Sequence, residues 1–406
     1  MNDAEALPPL DPYALAALAD PAGHFDRYRS LDPVHRGRPL QPGSPACWYL
    51  TRYDDVTSVI RGDSVGHARP RRREGEAVLE GESFSIDDVL DRWFVFMDGD
   101  EHRRLRSVLA RPLRALAGPA TRERLMRQSH ALIDRYAAGT VDLLPSYAYP
   151  FPVIAMAELI GFPQSDHPRL IAWAQTFIQV FDLRNDHVVR AVRKAFEEFF
   201  DYLRSCLAAR AGGPSDDLLG VLERAAAEGA ITHNELLCSA ALLLLAGAET
   251  TPTLIGNSIL LLLSHPDACE AVRADENLAL GAVDEVMRFE SPVQLTGRQA
   301  LRDFEVGGKP IARGDYVVAL YGAANRDPSQ FADPHRFDIR RSPNRHLGFG
   351  TGVHACVGAA LGHVIGQVAV TTLLERLPGM RLDEPAPDWR GHGSIRGLRT
   401  LRLRIP

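Results

Sequence analysis

Apolar residues recur at helical spacing through most of the chain between about residues 101 and 263, broken by short polar turns such as GFPQSDHPR and AGGPSDD. One run dominates. Thr232 and Glu235 form a T-x-x-E capping box, in which each side chain satisfies a backbone N–H at the start of a helix. The residues that follow are apolar on all sides rather than along one stripe, until SHPD stops the pattern. The pattern predicts a helix over about 233–264, roughly 45 Å long at about 1.5 Å per residue, and a helix apolar all round is expected to be buried. A membrane span is the rival reading. Glu249 and Asn257 in its middle and the capping box at its start argue against it, so no membrane is expected.

Strand signals are few. WYLTRYDDVTSVIRG reads as a short strand, a turn and a helix. FEVGGKPIARGDYVVAL reads as a hairpin around Gly307 and Gly308 followed by a further strand, and LRTLRLRIP as a terminal strand. With no repeat period and no long low-complexity linker, the pattern predicts a mostly α protein with a small β region, one domain over 1–406.

Composition narrows the class. The 406 residues are 45% hydrophobic and 24% charged, as in a globular protein with a sizeable core, and a net charge of −6 argues against nucleic acid as a partner. The first twenty residues lack the basic-then-apolar order of a secretion signal, so a cytoplasmic monomer is expected. Five scattered cysteines, Cys47, Cys206, Cys238, Cys269 and Cys356, make neither a disulfide framework nor a CxxC zinc pair. The run HARPRRREGE, with Arg69, Arg71, Arg72 and Arg73, reads as a solvated loop.

Cys356 stands apart. It lies in GFGTGVHACVG, where four glycines clear side chains from around the thiol, and a helix-like run follows at once. A thiolate is a soft metal ligand, and the N–H groups and dipole of a helix start favour the ion. One thiolate without a second nearby suits a metal whose remaining positions are filled by a macrocycle. On spacing alone a lone buried cysteine is more often an inert thiol.

The wider sequence resembles the cytochrome P-450 family of haem-thiolate monooxygenases. The family's haem loop, F-x-x-G-x-[HR]-x-C-x-G, is matched by Phe349, Gly352, His354, Cys356 and Gly358, within a loop and following helix over 346–377. DEVMRFESPV carries the family's E-x-x-R as Glu285 and Arg288, and FADPHRFDIRR resembles the meander before the haem loop, with Arg336 as third member of that ion-paired group. LLLLAGAETT resembles the oxygen-binding stretch of the central helix, and FMDGDEHRRLR the helix that reaches the haem propionates. The resemblance implies the triangular fold of that family and haem b, with Cys356 as axial iron ligand and His102, Arg106, Arg298 and His354 as propionate partners. It implies that Glu249 and Thr250 deliver protons to oxygen. Pro252 lies outside the family pattern. It lacks an N–H and crowds the Ala248 carbonyl, so the helix should open near Thr250.

By position, the resemblance places a largely apolar substrate pocket at Phe84, Phe94, Phe177, Ala246, Val293, Thr296 and Ile395. It implies O2 and a small organic substrate, with electrons from a ferredoxin and its NAD(P)H-dependent reductase. Arg103, Arg104, Arg111 and Arg114 are the expected docking patch. The expected reaction is hydroxylation or epoxidation in natural-product tailoring. The alternatives are a haem-thiolate oxidase that couples aryl groups or desaturates, and a haem sensor without catalysis. Where family members often carry Ala-Arg, this chain has Gly362-His363, a departure expected to touch packing or partner docking.

Overall fold

The computed structural model describes residues 7–40, 44–67, 84–181, 185–210, 215–384, 386–390 and 394–406. The AGGPSDD turn lies partly, and the Arg69–Arg73 run wholly, outside the described residues. Helices dominate, as the periodicity implies. They include Gly99–Ala115, Pro119–Ile133, Pro150–Ile160, His167–Phe177 and Asp186–Ala209, followed by a central pair and then Leu278–Phe289 and Ala359–Arg376. One large apolar core joins them. Part of it is an aromatic layer, in which Phe177 stacks on Phe196 with centroids 4.3 Å apart and meets Phe199 edge-on. Burial of each such ring contributes about 1.5–3 kcal/mol.

The expected central helix is present as two. His233–Ala246 begins at the capping box, where Glu235 accepts from the Thr232 N–H at 2.7 Å and Thr232 from the Glu235 N–H at 3.2 Å. Residues 247–249 form a turn, and a second helix, Thr250–Ser264, resumes the run. Pro252 explains the break, since it offers no N–H to the Ala248 carbonyl. The ladder restarts with the Thr253 N–H donating to Glu249 at 3.1 Å. The stretch His233–Ser264 is long and apolar enough to cross a membrane, but most of it is buried inside the fold.

The largest sheet has five strands in the order Val34–Gly37, Cys47–Leu50, Tyr316–Leu320, Leu295–Ala300 and Val65–Gly66. Cys47–Leu50 pairs with Tyr316–Leu320 in parallel and the other neighbours are antiparallel. The hairpin turns at Gly307 and Gly308 with φ of 55° and 73°, a conformation that favours glycine. One strand lies inside the stretch read as helical. Gly139–Asp142 pairs with the terminal strand Arg402–Ile405, a partner too far along the chain for local periodicity to reveal.

Candidate functional site

The loop at 348–358 is shaped by glycine. Gly350 and Gly352 have φ of 68° and 72°, where other residues are strained. A Cβ on Gly352 would lie 2.9 Å from the Ile60 carbonyl, so the loop leans directly on the helix Tyr53–Arg61. Arg61 Nε donates to Thr351 Oγ1 at 2.7 Å, and the Cys356 N–H donates to the Phe349 carbonyl at 2.7 Å. These contacts place Cys356 three residues before the helix Ala359–Arg376. The thiol is accessible by surface area yet enclosed. Burial pushes its pKa up, while a hydrogen bond from the Gly358 backbone and the charge of Arg106 act the other way. An exposed residue whose thiol is nonetheless desolvated is what a concave surface produces. A Cβ built on Gly358 meets nothing within 4 Å.

Beside the thiol lies a cluster of basic groups. His102 is buried on the helix Gly99–Ala115, and its ring centroid is 4.2 Å from that of His354. His354 Nε2 is 3.3 Å from Asp98 Oδ1, and the His67 ring is 4.9 Å from that of His354. Nε2 of His67 and Nε2 of His102 are buried with no hydrogen-bond partner among the described residues. Burial pushes His67 down to about 3, with Arg298 and His354 adding to it. Burial, then His354 and Arg106, push His102 down to about 4. Arg106 donates to the Ala355 carbonyl at 2.6 Å, and Arg298 to Thr296 Oγ1 at 2.8 Å and the Gly297 carbonyl at 2.7 Å. Burial lowers both arginines.

Basic groups that desolvate and depress one another in this way fit an added anion. A haem group meets the requirement, with two carboxylates for the cations and an iron for the sulphur. His67 was missed by sequence reasoning. The strand Val65–Gly66 pairs with Ala300 and Gln299, next to Arg298, and that register, which is tertiary, brings His67 here.

The predicted acid and alcohol stand at the helix break, Glu249 in the turn and Thr250 at the start of the second helix. Thr250 Oγ1 donates to the Ala246 carbonyl at 3.3 Å, and Ala246 keeps accessible surface. Glu249 Oε1 accepts from Arg390 Nη1 at 3.2 Å, and Arg390 Nη2 donates to Thr253 Oγ1 at 3.1 Å. Burial raises the Glu249 carboxyl, against the pull of Arg390. Arg390 lies across Gly397, where any Cβ would come within 2.3 Å of its Nη2. Arg390 was also missed, because nothing local links it to Glu249.

The Glu285–Arg288 pair is fully buried. Glu285 accepts from Arg288 Nε and Nη2, both at 2.8 Å, from Arg341 Nε at 3.2 Å, from Asn344 at 3.1 Å and from the Asp338 N–H at 2.8 Å. Arg288 also donates to the carbonyls of Asn325, Pro334 and Arg336. Asn325 Oδ1 in turn accepts from the Leu347 N–H at 2.7 Å, which ties the network to the cysteine loop. The expectation for Arg336 is corrected here. Its side chain is exposed and only its carbonyl joins the network, so Arg341 supplies the third guanidinium. The meander turns the Arg336 side chain outward and brings Arg341 back over Glu285.

The pocket positions divide. Ala246, Val293, Thr296 and Ile395 keep accessible surface, and Val293 and Ile395 form a β-bridge. Phe177 has no accessible surface and belongs to the aromatic layer rather than to a pocket wall. Phe84 and Phe94 are likewise buried in the core, Phe84 beside Phe200 and Phe94 beside His102. The basic patch is smaller than expected. Arg104 is committed to Glu235, at 2.5 and 3.0 Å, and Arg103 pairs with Asp100, while Arg111 and Arg114 are exposed.

Comparison with known proteins identifies the family. The family model described as Cytochrome P450 matches residues 162–378. The chain is similar to the biotin biosynthesis cytochrome P450 of Bacillus subtilis, 32% identical with 95% of each chain covered. It is 35% identical to cytochrome P450 monooxygenase PikC of Streptomyces venezuelae, over 95% of this chain and 91% of the other. Among solved structures it resembles CalO2, with a TM-score of 0.86 and 29% identity over 98% of this chain and 99% of the other. It also resembles P450BioI, solved in complex with a hexadec-9Z-enoic acid ligated acyl carrier protein, with a TM-score of 0.84 and 30% identity over 96% of this chain and 100% of the other. From a glycine-cleared thiol, a buried basic cluster and likeness over nearly its whole length, the chain belongs to the cytochrome P450 family and is a monooxygenase of the bacterial kind.

Proposed function

We propose that this enzyme hydroxylates or epoxidises a small, largely apolar organic substrate in natural-product tailoring, working as one haem domain over the whole chain. The observation that carries the reading is the pair of histidine nitrogens, His67 Nε2 and His102 Nε2, without a partner among the described residues and buried beside an exposed Cys356 and a broken helix. The cofactor is haem b, which when bound supplies reductive activation of O2 with externally delivered electrons. Cys356 is the iron ligand, and Gly358 and Arg106 stabilise its thiolate form. His102, Arg106, Arg298 and His354, joined by His67, hold the propionates. Charge neutralisation on that scale lets the depressed histidines regain protons.

Thr250 and Glu249 handle protons. The Thr250 hydroxyl, now donating to the Ala246 carbonyl, can turn to hold a proton donor at the oxygen site. Glu249 connects that donor to the exterior, and Arg390 sets the direction its carboxylate faces. The residues of the Glu285 network are structural. Ala246, Val293, Thr296 and Ile395 give the substrate side an apolar wall with one hydroxyl, consistent with a carbon skeleton of low polarity. A relative named mycinamicin IV hydroxylase/epoxidase, 35% identical, supports both the reaction types and the tailoring setting. The electron donors are a ferredoxin and its NAD(P)H-dependent reductase.

The test is a binding screen read by the haem spin shift, followed by product mass for each hit with donor proteins present. A gain of one oxygen atom is expected. Loss of two hydrogens, without oxygen, would replace insertion by coupling or desaturation. Cys356→Ser should abolish the red-shifted Soret band of the reduced CO complex, and serine at each of the other four cysteines should leave it. Retention of the band by Cys356→Ser would overturn the ligand assignment.

A further inference from the structure

A carboxylate lies between two histidines where the helices Leu278–Phe289 and Ala359–Arg376 meet the start of the cysteine loop. Asp284 Oδ1 is 2.6 Å from His363 Nε2 and 3.2 Å from His346 Nε2, and the three ligating atoms lie within 4.8 Å of one another. Each residue comes from a different segment. The side chains of Asp284, His363 and His346 are 29%, 25% and 8% exposed, so the group is held by the fold yet open to an ion from solution. Hydrogen bonds from both imidazoles hold the Asp284 carboxyl well below the usual carboxylate range. The His363 ring packs edge-on against Phe349 at 4.7 Å, and His346 Nδ1 accepts from the Gly348 N–H at 3.2 Å. The proposed reaction uses none of the three.

We propose that Asp284, His346 and His363 form a site for one zinc ion, separate from the haem site and gripping the cysteine loop from outside. Two imidazole nitrogens and one carboxylate oxygen are a three-ligand zinc set, with water in the fourth position. Metal–ligand bonds of about 2.0–2.2 Å in a tetrahedron put donors roughly 3.3–3.6 Å apart. The His346–Asp284 separation is already near that value, and His363 has to draw back from Asp284 by roughly 0.7–1 Å. Nitrogen donors disfavour calcium and magnesium. The protons balance. Each neutral imidazole that now carries its proton on Nε2 shifts it through water to its own Nδ1 as the metal takes Nε2, with no net release.

Occupancy is coupled to the loop. A His346 bound through Nε2 carries its one proton on Nδ1, which then opposes the Gly348 N–H, so that hydrogen bond is lost. An arginine at position 363 would pair with Asp284 but could not ligate, so His363 is what makes the site possible in this chain.

The test uses holoenzyme stripped with a chelator, since bound haem occupies the surroundings of the other ligating group, His67, Asp98 and His354. The protein is dialysed against zinc chloride, and bound zinc is counted by atomic emission. The thermal midpoint and Soret band are read on the same samples. One equivalent should bind, raise the midpoint and shift the band. His363→Gln and Asp284→Asn should each weaken binding by at least about tenfold, ~1.4 kcal/mol. His363→Arg should keep the fold and bind none, and the exposed-site control His187→Gln should behave as wild type. No bound equivalent, or one that both His363→Gln and Asp284→Asn retain, overturns the site. An equivalent lost in those variants without any Soret change keeps the site and overturns the coupling to the loop. Neither failure touches the haem reading.

Discussion

Glu285→Ala is the sharpest test of how the fold holds its cysteine loop. In the native structure the Glu285 carboxylate accepts from five donor groups, and both it and Arg288 are fully buried. Alanine removes the negative charge and leaves Arg288 inside with three carbonyl acceptors and no counter-ion. Stranding one partner of a buried pair costs about 3–5 kcal/mol. Against a total stability of about 5–15 kcal/mol, that removes about a fifth of the margin or more. Arg341→Ala leaves the Glu285–Arg288 pair intact and should cost about 1–3 kcal/mol, the range for a lost buried hydrogen bond. Arg336→Ala removes an exposed side chain and should stay within about 0.5 kcal/mol of wild type. The assay is urea unfolding of the three variants, with haem content measured on each preparation. The expected order of loss is Glu285, then Arg341, then Arg336. If Arg336→Ala loses as much as Glu285→Ala while Arg341→Ala is silent, the network has been drawn with the wrong arginine.

Thr250→Ala should leave substrate binding and NAD(P)H consumption in place but lower product per NAD(P)H and raise hydrogen peroxide. Arg390→Gln should change the pH dependence of turnover while Arg390→Lys partly restores it; full coupling in Thr250→Ala would move proton delivery elsewhere. His67 and His102 have folded values below the ordinary 6.5, so the unfolded chain binds more protons as pH falls. Stability of the haem-free protein should therefore be intact above about pH 6.5 and decline toward about pH 3–4. Haem loading should flatten this profile, and unfolding curves at several pH values with and without haem would reveal an unchanged slope. Charge reversal at Arg111 or Arg114 should slow the first electron transfer in a salt-dependent way. Arg104 reversal should instead lower stability, through loss of Glu235, and stopped-flow reduction alongside unfolding separates the two.

What the sequence by itself determined was local. A capping box, a proline and two turn glycines act within a few residues of themselves, so the start of the central helix, its break near Thr250 and the hairpin at Gly307 and Gly308 could be read directly. The glycine-cleared thiol and the Glu285–Arg288 pair, three residues apart on one helix, were legible for the same reason. Tertiary structure decided which distant side chains complete each group. Arg390 meets Glu249 across 141 residues of chain, and Arg341 rather than Arg336 reaches Glu285 across 56. His67 reaches the basic cluster through strand register, and Phe177, one of the expected pocket residues, lies in the aromatic core instead. Periodicity reports which face of an element is apolar. Which charged partner stands opposite that face depends on how helices and strands pack, and no local pattern encodes it.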